Sequence, residues 1–544
     1  MASLNFKGKS AVWNHHLSVP YHTLEQDAKQ SLKGKNQEEN LIIEGDNLLA
    51  LKSLLPLYQG KVKCIYIDPP YNTGNENWAY NDNVNSPTIQ EWIGKVVAKD
   101  DLTRHDKWLC MMTPRLKLLR ELLSDDGVIF VSIDNNEAQH LRNLLDEVFG
   151  AENFVGTLVW RKKEGGGQTD DYFVTEHEYI HVYKKTEAFV WKDEEIPDDG
   201  TSFSKSDKDG KYKLVKLAKW GTAARREDRP SMYFPLQAPD GKKVYPVAPD
   251  GSDGRWRMGQ RRLEGLVVSN LVEWVEKEKK WIPYEKIYFE NGDVKVVKER
   301  SIVFDLAFTG DGTKELTTLF GVKDLFENPK PSELIKYLLT YTTEKNSIIL
   351  DSYAGSGTTA DAVLKLNKED SGDRKFILIQ LPEKIKDNAA AHKLGFQWVH
   401  QITRDRVKRV IELLKNKVGF TYNTLGPAID AETLLGGKLP AYNEFAKYVY
   451  YLATGKNHPK ESEIKEATSF VGKAEHESIY LVYKKDVEAL KKLAITLDWA
   501  QKAHEKDKGK KVVYAPACYL DDETLDQYNI KFVSIPYNLF ERNA

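Results

Sequence analysis

Asp68, Pro69, Pro70 and Tyr71 directly follow a short apolar segment, Lys63 to Ile67. Prolines cannot continue the hydrogen-bond ladder of a sheet, so the sequence predicts a strand that ends at a carboxylate, a rigid corner and an aromatic ring. Such a corner could be a rigid loop with a solvated aspartate. Because α/β proteins bind ligands at the carboxyl ends of their strands, we favour a functional site.

These four residues suit chemistry on the amino group of a nucleobase. An exocyclic amino group is a poor nucleophile, because its lone pair is delocalised into the ring and the nitrogen must become pyramidal to attack a methyl sulfonium. Two acceptors aimed at its hydrogens favour that geometry and offset the developing positive charge. Asp68 and the Pro69 carbonyl can supply them, and Tyr71 offers a face for stacking. A paired base must be flipped out of its duplex to enter such a pocket.

A second candidate site is the glycine turn in "DSYAGSGTTADA", residues 351–362. Gly355 and Gly357 allow a ligand to approach the backbone, with the N–H groups of the following helix aimed at it. With Ala360 they also satisfy the dinucleotide fingerprint G-x-G-x-x-A, and Glu383 ends the next strand, where it could bind a ribose. NAD and S-adenosylmethionine both contain a ribose, so this turn leaves the cofactor open, and a tight turn without a ligand is the alternative.

The elements around these motifs predict a split α/β domain. Strand and helix patterns alternate before residue 157 and again after residue 326, which is typical of a doubly wound, Rossmann-like parallel sheet. Between them, short aromatic strands lie among glycine, proline and charged turns. We therefore predict residues 1–156 and 327–415 as two parts of the catalytic domain, 157–326 as an insertion, and 416–544 as a smaller C-terminal α/β domain.

Composition excludes several classes of protein. The 544 residues are 41% hydrophobic with a net charge of −2, so the chain is neither disordered nor globally basic. Its three cysteines are far apart, and the adjacent histidines lack matching ligands, so we expect no disulfide framework and no metal site. No apolar leader or run of about 18 apolar residues occurs, and we expect a soluble intracellular protein. "KGKS" lacks the glycine and strand of a nucleotide-binding loop. The three cysteines are Cys64, Cys110 and Cys518, the adjacent histidines are His15 and His16, and "KGKS" is residues 7–10.

Two motifs resemble those of DNA amino-methyltransferases: "DPPY" (68–71) the catalytic motif, and "YAGSGTT" (353–359) the cofactor motif, with Tyr353 in place of the usual phenylalanine. Their order, with an insertion between them, resembles the β class. An aspartate in the first position favours N6 of adenine over N4 of cytosine. Further segments are similar to the modification subunit of type III restriction–modification systems, and together they cover most of the chain; they include "VWNHHLSVPYHTLE", "IIEGDNLLALKSLL", "TEHEYIHVYKK", "FENPKPSELIKYLL" and "YVYYLATGKNHP".

This resemblance implies an adenine-specific DNA methyltransferase that uses S-adenosylmethionine and reads its target with the insertion. It implies a cytoplasmic, nucleoid-associated homodimer acting on double-stranded DNA, often with a separate helicase–nuclease restriction subunit. Lys330 would contact the methionine end of the cofactor, although a solvated lysine is the alternative, and Asp46 would lie near its adenine, although it could instead cap a helix. The predicted cofactor residues are Asp46, Asp68, Lys330, Asp351, Ala354, Gly355, Ser356, Gly357 and Glu383.

Arginines interleaved with tryptophan in the insertion are candidates for binding DNA phosphates or guanine edges: Arg225, Arg226, Arg255, Arg257, Arg261 and Arg262. An exposed face balanced by nearby acids is the alternative. Gly165 to Gly167 predict a mobile loop.

Several alternative functions stay open. Besides a solitary or N4-cytosine methyltransferase, the chain could be a nicotinamide enzyme, which leaves "DPPY" unexplained, or a DNA-binding protein without catalysis. It could also be an amide methylase, a class that usually has asparagine at the position of Asp68.

Overall fold

The computed structural model describes residues 4–73, 104–165, 172–197, 200–290, 294–430, 433–434, 439–458, 460–474 and 476–535. Gly166 and Gly167 of the predicted loop lie outside these residues. The chain forms two compact units, one of Met1–Lys192 with Arg300–Ala544 and one of Asp193–Glu299. No helix among the described residues is long and apolar enough to cross a membrane.

The strands of the described residues are β1 Tyr21–Gln26, β2 Leu41–Glu44, β3 Val62–Ile67, β4 Leu123–Ile133, β5 Phe154–Arg161, β6 His177–Lys184, β7 Glu194–Pro197, β8 Lys205–Asp207, β9 Gly210–Lys216, β10 Leu236–Gln237, β11 Lys243–Val244, β12 Val272–Lys277, β13 Lys280–Tyr288, β14 Val294–Val297, β15 Ile302–Val303, β16 Ile348–Asp351, β17 Lys375–Gln380, β18 Thr421–Ile429, β19 Phe470–Lys473, β20 Glu477–Leu481, β21 Lys510–Ala515 and β22 Ile530–Ser534.

The α-helices of the same residues are α1 Lys9–Val12, α2 His15–Ser18, α3 Asn47–Tyr58, α4 Arg104–Leu122, α5 Ala138–Phe149, α6 Gln260–Val268, α7 Thr309–Phe320, α8 Ser332–Thr342, α9 Thr358–Asp370, α10 Ala390–Lys393, α11 Val399–Leu413, α12 Tyr442–Thr454, α13 Val487–Leu490, α14 Leu497–Lys506 and α15 Asp522–Gln527.

The larger unit is built on a ten-stranded sheet with the order β1-β18-β2-β17-β16-β3-β4-β6-β5-β15. The strands from β18 to β4 run parallel to one another, and β6 pairs antiparallel with β4. Alternate residues of β3 enter two cores: Ile65 and Ile67 pack with α3, α4 and α5, whereas Cys64 and Tyr66 pack with α8, α9 and α11. Helices therefore cover both faces, which confirms the predicted doubly wound α/β fold.

The topological switch point of this sheet lies between β3 and β16. These strands are parallel neighbours, with Ile65 opposite Leu350. The chain continues from β3 through α4 to β4 on one side, but from β16 through α9 to β17 on the other. Connections that diverge in this way leave a crevice at the carboxyl ends of the two strands, where ligands bind in open α/β sheets.

The observed units differ from the predicted domain boundaries. β5 and β6, within the predicted insertion of 157–326, belong to the ten-stranded sheet, as does β15, and the separate compact unit is Asp193–Glu299. β6 is retained in the sheet because Ile180, Val182 and Tyr183 are buried there. At the C-terminus β18 also joins this sheet, whereas β19 to β22 form a sheet of their own.

The smaller unit, Asp193–Glu299, contains an antiparallel sheet of order β12-β13-β9-β8 and a short apolar core. Leu217, Phe234, Trp256 and Leu263 are buried in that core. The indole N–H of Trp256 donates to the Phe234 carbonyl at 2.8 Å, which satisfies the polar atom of this large ring.

Candidate active site

A cavity of about 730 Å³ lies at the carboxyl edge of the larger unit's sheet. Its lining residues come from the ends of β3, β4, β5, β16 and β17, from β6, and from the segment before α8. They include Asp68, Pro69, Pro70, Tyr71, Asp134, Lys162, Glu178, Phe326, Glu327, Asn328, Lys330, Tyr353, Gly355, Gln380 and Glu383. The volume is within the range of about 300–1,000 Å³ typical of small-molecule sites.

Lys330 is the centre of an ionic network in this cavity. Its ammonium group donates to both carboxylate oxygens of Asp68 at 2.9 Å and to the Tyr71 hydroxyl at 2.9 Å. It also lies 3.3 Å from Glu178 Oε2. The Tyr71 hydroxyl is 2.7 Å from Asp68 Oδ1 and 3.1 Å from Glu178 Oε2, and its single proton can go to either acid. Lys162 completes the network at 3.0 Å from Glu178 Oε1.

Burial and charge act against each other in this network. Burial alone would lower the pKa of Lys330, but the charges and hydrogen bonds of Asp68 and Glu178 outweigh it, so its pKa is raised. Burial likewise opposes ionisation of Glu178, yet Lys330 and Lys162 hold its pKa below the usual range. Burial, with the Asp68 charge, raises the pKa of Tyr71 well above its ordinary value. At neutral pH Lys330 is therefore an ammonium group, Glu178 a carboxylate and Tyr71 a neutral phenol.

The proline corner is held by an indole. Trp108 Nε1 donates to the Pro70 carbonyl at 2.6 Å, and Trp108 itself is fully buried. Within the part of the chain that the structure describes, the neighbouring Pro69 carbonyl accepts no hydrogen bond. Lys330 Nζ lies 5.0 Å from the centre of the Tyr71 ring, which is cation–π distance. An ammonium group therefore lies at the hydroxyl end of the ring that is predicted to stack on a base.

The glycine turn after β16 is fixed from beneath. Gly355 has a φ of 52°, its N–H donates to Gln380 Oε1 at 2.7 Å, and its carbonyl accepts from the Thr403 hydroxyl at 2.6 Å. Gly357 has a φ of 86°, and a Cβ there would meet the Thr403 carbonyl oxygen at 3.0 Å. The left-handed backbone explains both glycines, but only Gly355 lines the cavity.

Asp351 lies under this turn. Its carboxylate accepts from the Tyr353 N–H at 2.9 Å and from the Thr359 hydroxyl, and the residue is 3% exposed. Burial raises its pKa to about 7, with a smaller contribution from the Asp68 charge. This acid holds the turn through the Tyr353 N–H and the Thr359 hydroxyl, and it is not among the residues that line the cavity.

The structure brings together seven of the predicted site residues on the cavity wall: Asp68, Pro69, Pro70, Tyr71, Lys330, Gly355 and Glu383. Asp351, Ala354, Ser356 and Gly357 form the buried layer behind it; Ser356, for example, accepts from Arg406 at 2.9 Å. Asp46 caps α3 through the Leu48 N–H at 2.8 Å and lies 3.3 Å from Arg115, as the alternative interpretation expected. Burial and the charge of Glu327 raise the pKa of Glu383.

Sequence reasoning missed Glu178, Gln380 and Trp108. Glu178 is the second residue of the apolar strand β6, and Asp68 follows the apolar strand β3, so an acid near the end of a buried strand was an available signal. Gln380 ends β17, where a polar residue directly after the apolar run "FILI" is a similar signal. Nothing in the sequence connects Trp108 with Pro70, because that contact depends on how α4 lies against the sheet.

The predicted DNA-binding arginines differ in their surroundings within the smaller unit. Arg255 is 8% exposed and its Nε donates to the Ala223 carbonyl at 2.6 Å, so its side chain is held within the smaller unit. Arg225, Arg226 and Arg257 pair with acids at 2.7, 3.2 and 3.3 Å. Arg261 and Arg262, at the start of α6, are exposed.

A family model described as DNA methylase, of the N6/N4 amino-methyltransferases, matches residues 62–391. This match spans more than half of the chain and includes both motifs and the strands that position them. The chain therefore belongs to the DNA methylases, which confirms the predicted class of enzyme. S-adenosylmethionine is the methyl donor of this family.

Relatives place the chain more narrowly, next to the modification subunits of type III systems. The Mod subunit of the EcoPI enzyme, from Escherichia phage P1, is 36% identical over 75% of this chain and 68% of its own. The EcoP15I Mod subunit of Escherichia coli is 31% identical over 79% and 72%. The predicted resemblance to type III modification subunits is thereby confirmed.

Two further similarities are broader. The type II methyltransferase M.KpnI of Klebsiella pneumoniae is 32% identical over 71% of this chain and 90% of its own. Among solved structures, the cytosine-N4-specific PvuII DNA methyltransferase covers 69% of this chain and 93% of its own, at 11% identity and a TM-score of 0.33. The structural likeness is too weak to support a conclusion.

Proposed function

We propose that this chain methylates N6 of an adenine flipped out of duplex DNA, as the modification subunit of a type III restriction–modification system. The observation that carries the proposal is the single cavity shared by Asp68, the proline corner, Tyr71 and the glycine turn at Gly355. A base amino group and a methyl donor must meet within bonding distance, and the switch point of the sheet supplies one crevice for both.

Asp68 and the Pro69 carbonyl are proposed to accept hydrogen bonds from the two N–H groups of the target amino group. When bound, S-adenosylmethionine supplies an electrophilic methyl group. The Asp68 carboxylate favours the pyramidal nitrogen and stabilises the positive charge that develops on it. The Trp108–Pro70 hydrogen bond fixes the corner, so the Pro69 carbonyl needs no reorganisation during the reaction.

Lys330 is proposed to keep Asp68 in place until the base arrives. Its ammonium group occupies both carboxylate oxygens, at 2.9 Å, and these are the acceptors that the amino group requires. Lys330 must therefore move off Asp68 during the catalytic cycle. Glu178, 3.3 Å away, offers a second carboxylate to receive it, so the ammonium group can shift without becoming unpaired.

For the cofactor, we propose that Gly355 and the turn around it form the binding wall, with Glu383 at the ribose. The turn has a positive φ at Gly355 and follows the carboxyl end of β16, and Glu383 follows β17, the next strand of the sheet. The remaining predicted residues, Asp351, Ala354, Ser356, Gly357 and Asp46, would act by holding these elements in position.

The smaller unit, Asp193–Glu299, is proposed to read the target sequence. Its exposed Arg261 and Arg262, with Arg225, Arg226 and Arg257, are available for phosphate or base-edge contacts after exchange of their acidic partners. The family resemblance further supports a cytoplasmic, nucleoid-associated homodimer that binds a separate helicase–nuclease restriction subunit. The similarity to M.KpnI favours a second candidate, a methyltransferase outside a type III system.

Methylation-aware sequencing of DNA tests the proposal. The chain is expressed in cells without their own DNA methyltransferases, beside Asp68→Asn and, as a matched control, Asp125→Asn, whose carboxylate is exposed and outside the cavity. We expect N6-methyladenine on one strand of a short asymmetric site, at least a hundredfold less with Asp68→Asn, and no change in the control.

The alternatives give different results in the same experiment. N4-methylcytosine would refute the adenine assignment, and unmodified DNA would refute the proposed function. A symmetric, doubly methylated site would favour the second candidate. Light scattering of the purified chain tests the dimer separately, and a strict monomer, both free and on DNA, would contradict it.

A further inference from the structure

Beside the cavity, His105, Glu137 and His140 bring three potential metal ligands together. One ligand atom from each lies within 4.8 Å of the other two. His105 Nδ1 is 2.6 Å from Glu137 Oε1, and His140 Nδ1 is 3.0 Å from Glu137 Oε2. His105 opens α4, whereas Glu137 and His140 lie at the start of α5. The separation of 32 residues between His105 and Glu137 explains why the sequence predicted no metal site.

The surroundings of Glu137 leave its charge poorly compensated. The residue is 0% exposed, and within the described ranges no lysine or arginine pairs with it. Glu137 Oε2 and His140 Nδ1 face each other, yet neither has a hydrogen-bond partner of acceptable geometry in the described part of the chain. Buried carboxylates in proteins are paired with cations or coordinate metals. A cation between these two atoms would be coordinated by both and would supply the partner that each lacks.

We propose that His105, Glu137 and His140 bind a divalent transition-metal ion, Zn²⁺ by the chemistry of the donors. Two imidazoles and one carboxylate are a donor set that suits zinc and leaves a fourth position for water, whereas Mg²⁺ and Ca²⁺ prefer oxygen donors alone. A tetrahedral ion with bonds of about 2.0–2.1 Å needs its ligand atoms about 3.3 Å apart. The two imidazoles are about one third exposed and can rotate to meet that requirement.

The bound ion would act as a positioning element for the catalytic loop. Glu137 Oε1 also accepts a hydrogen bond from the Asn72 side chain, and Asn72 directly follows Tyr71. Asn72 is buried, with a φ of 56°, so its conformation depends on such contacts. An ion that fixes the Glu137 carboxylate would thereby fix the residue next to the catalytic motif. This role rests on the proposed function, whereas binding of the ion does not.

Metal binding is tested on the full chain after treatment with a chelator and desalting. Calorimetric titration with Zn²⁺ should show one ion per chain, and Co²⁺ should give the visible spectrum of an ion with nitrogen and oxygen ligands. Glu137→Gln, which keeps the acceptor for Asn72, and His140→Gln should each weaken Zn²⁺ binding at least tenfold. His392→Gln is the matched control, because His392 is equally exposed, at 38%, and lies 3.7 Å from the Asp387 carboxylate. We expect its affinity to be unchanged.

The site is refuted if Zn²⁺ binds the wild-type chain no more tightly than it binds the Glu137→Gln chain, or if His392→Gln weakens binding as much as His140→Gln does. The Co²⁺ spectrum of the wild-type chain decides the matter should a variant fail to fold, since an unchanged aqueous spectrum would also refute the site. A wild-type chain that binds Zn²⁺ but does not methylate DNA would count against the proposed function and leave the metal site intact.

Discussion

Lys330→Met is expected to destabilise the protein through the carboxylate that it leaves behind. Methionine keeps most of the apolar stem but removes the ammonium group. Asp68, 28% exposed at its side chain, would then be a largely buried charge without its cation, whereas Glu178 retains Lys162 at 3.0 Å. Breaking a fully buried ion pair costs about 3–5 kcal/mol, and partial exposure of Asp68 reduces this to about 2–3 kcal/mol.

A double-mutant cycle separates this charge effect from packing. Urea unfolding at pH 8 compares the wild type with Lys330→Met, Asp68→Asn and the double variant. Because Asp68→Asn removes the unpaired charge, the double variant should recover about 1–2 kcal/mol of the loss caused by Lys330→Met. If the two substitutions are additive within about 0.3 kcal/mol, the ion pair contributes nothing and the network reasoning is wrong.

The choice of pH follows from the pKa directions. The pKa of Lys330 is raised, so its contribution to stability is complete below its ordinary value near 10.4 and is lost only as the pH rises through the higher folded-state value. The pKa of Glu178 is lowered, so its contribution is complete above its ordinary value near 4.3 and is lost as the pH falls through the lower folded-state value. At pH 8 both contributions are present in full.

Three further results are expected. The pKa of Asp351 is about 7 in the folded chain and near 4 when unfolded, so folding takes up a proton between these pH values and the free energy of unfolding falls by up to about 4 kcal/mol from pH 4 to pH 7. Thermal melts of Asp351→Asn should lack that decline. The same dependence of stability on pH in the wild type and in Asp351→Asn would contradict this prediction. Trp108→Phe removes the donor to the Pro70 carbonyl and should lower kcat about tenfold while DNA affinity is kept; an unchanged kcat would show that the corner needs no such support. Arg261→Ala should leave the melting temperature unchanged and reduce by about one the slope of log affinity for DNA against log salt concentration. Arg255→Ala, at a buried residue, should instead lower the melting temperature. A lower melting temperature for Arg261→Ala together with an unchanged one for Arg255→Ala would refute both predictions.

Local elements of the fold were predictable from the sequence to within a residue or two. Apolar residues at helical spacing run through "NLLALKSLLPLY" and "SELIKYLLTYT", and these two segments are α3 and α8 in the structure. The strand before "DPPY" and the strand before the glycine turn are also present, because apolar runs followed by proline or glycine leave few alternatives. Which strands become neighbours could not be predicted: β5 and β6 have the short aromatic pattern of the smaller unit's strands, yet pair in the main sheet.

The chemistry of the site was predictable wherever it depended on consecutive residues. "DPPY" is one such motif, and it lines the cavity. Contacts between residues far apart in the sequence could not be predicted, because the topology of the sheet decides which of their side chains meet. Lys330 was expected at the cofactor and in this conformation lies on Asp68, 262 residues away. Asp46 and Asp351 were expected at the cofactor because their positions resemble those of the family, whereas their carboxylates here are held by backbone N–H groups.

The adjacency of β3 and β16 has a consequence for folding. Nearly 300 residues separate these parallel neighbours, so their pairing closes a long loop, and non-local parallel pairing is slow. While the protein is being synthesised, β3 and β4 emerge well before β16, and one edge of β3 remains unpaired until β16 arrives. An unpaired apolar edge is prone to aggregate, which predicts a dependence on chaperones during synthesis. Fragments that end before residue 348 should accumulate as insoluble protein, whereas the complete chain should refold with its active site among the last regions to form.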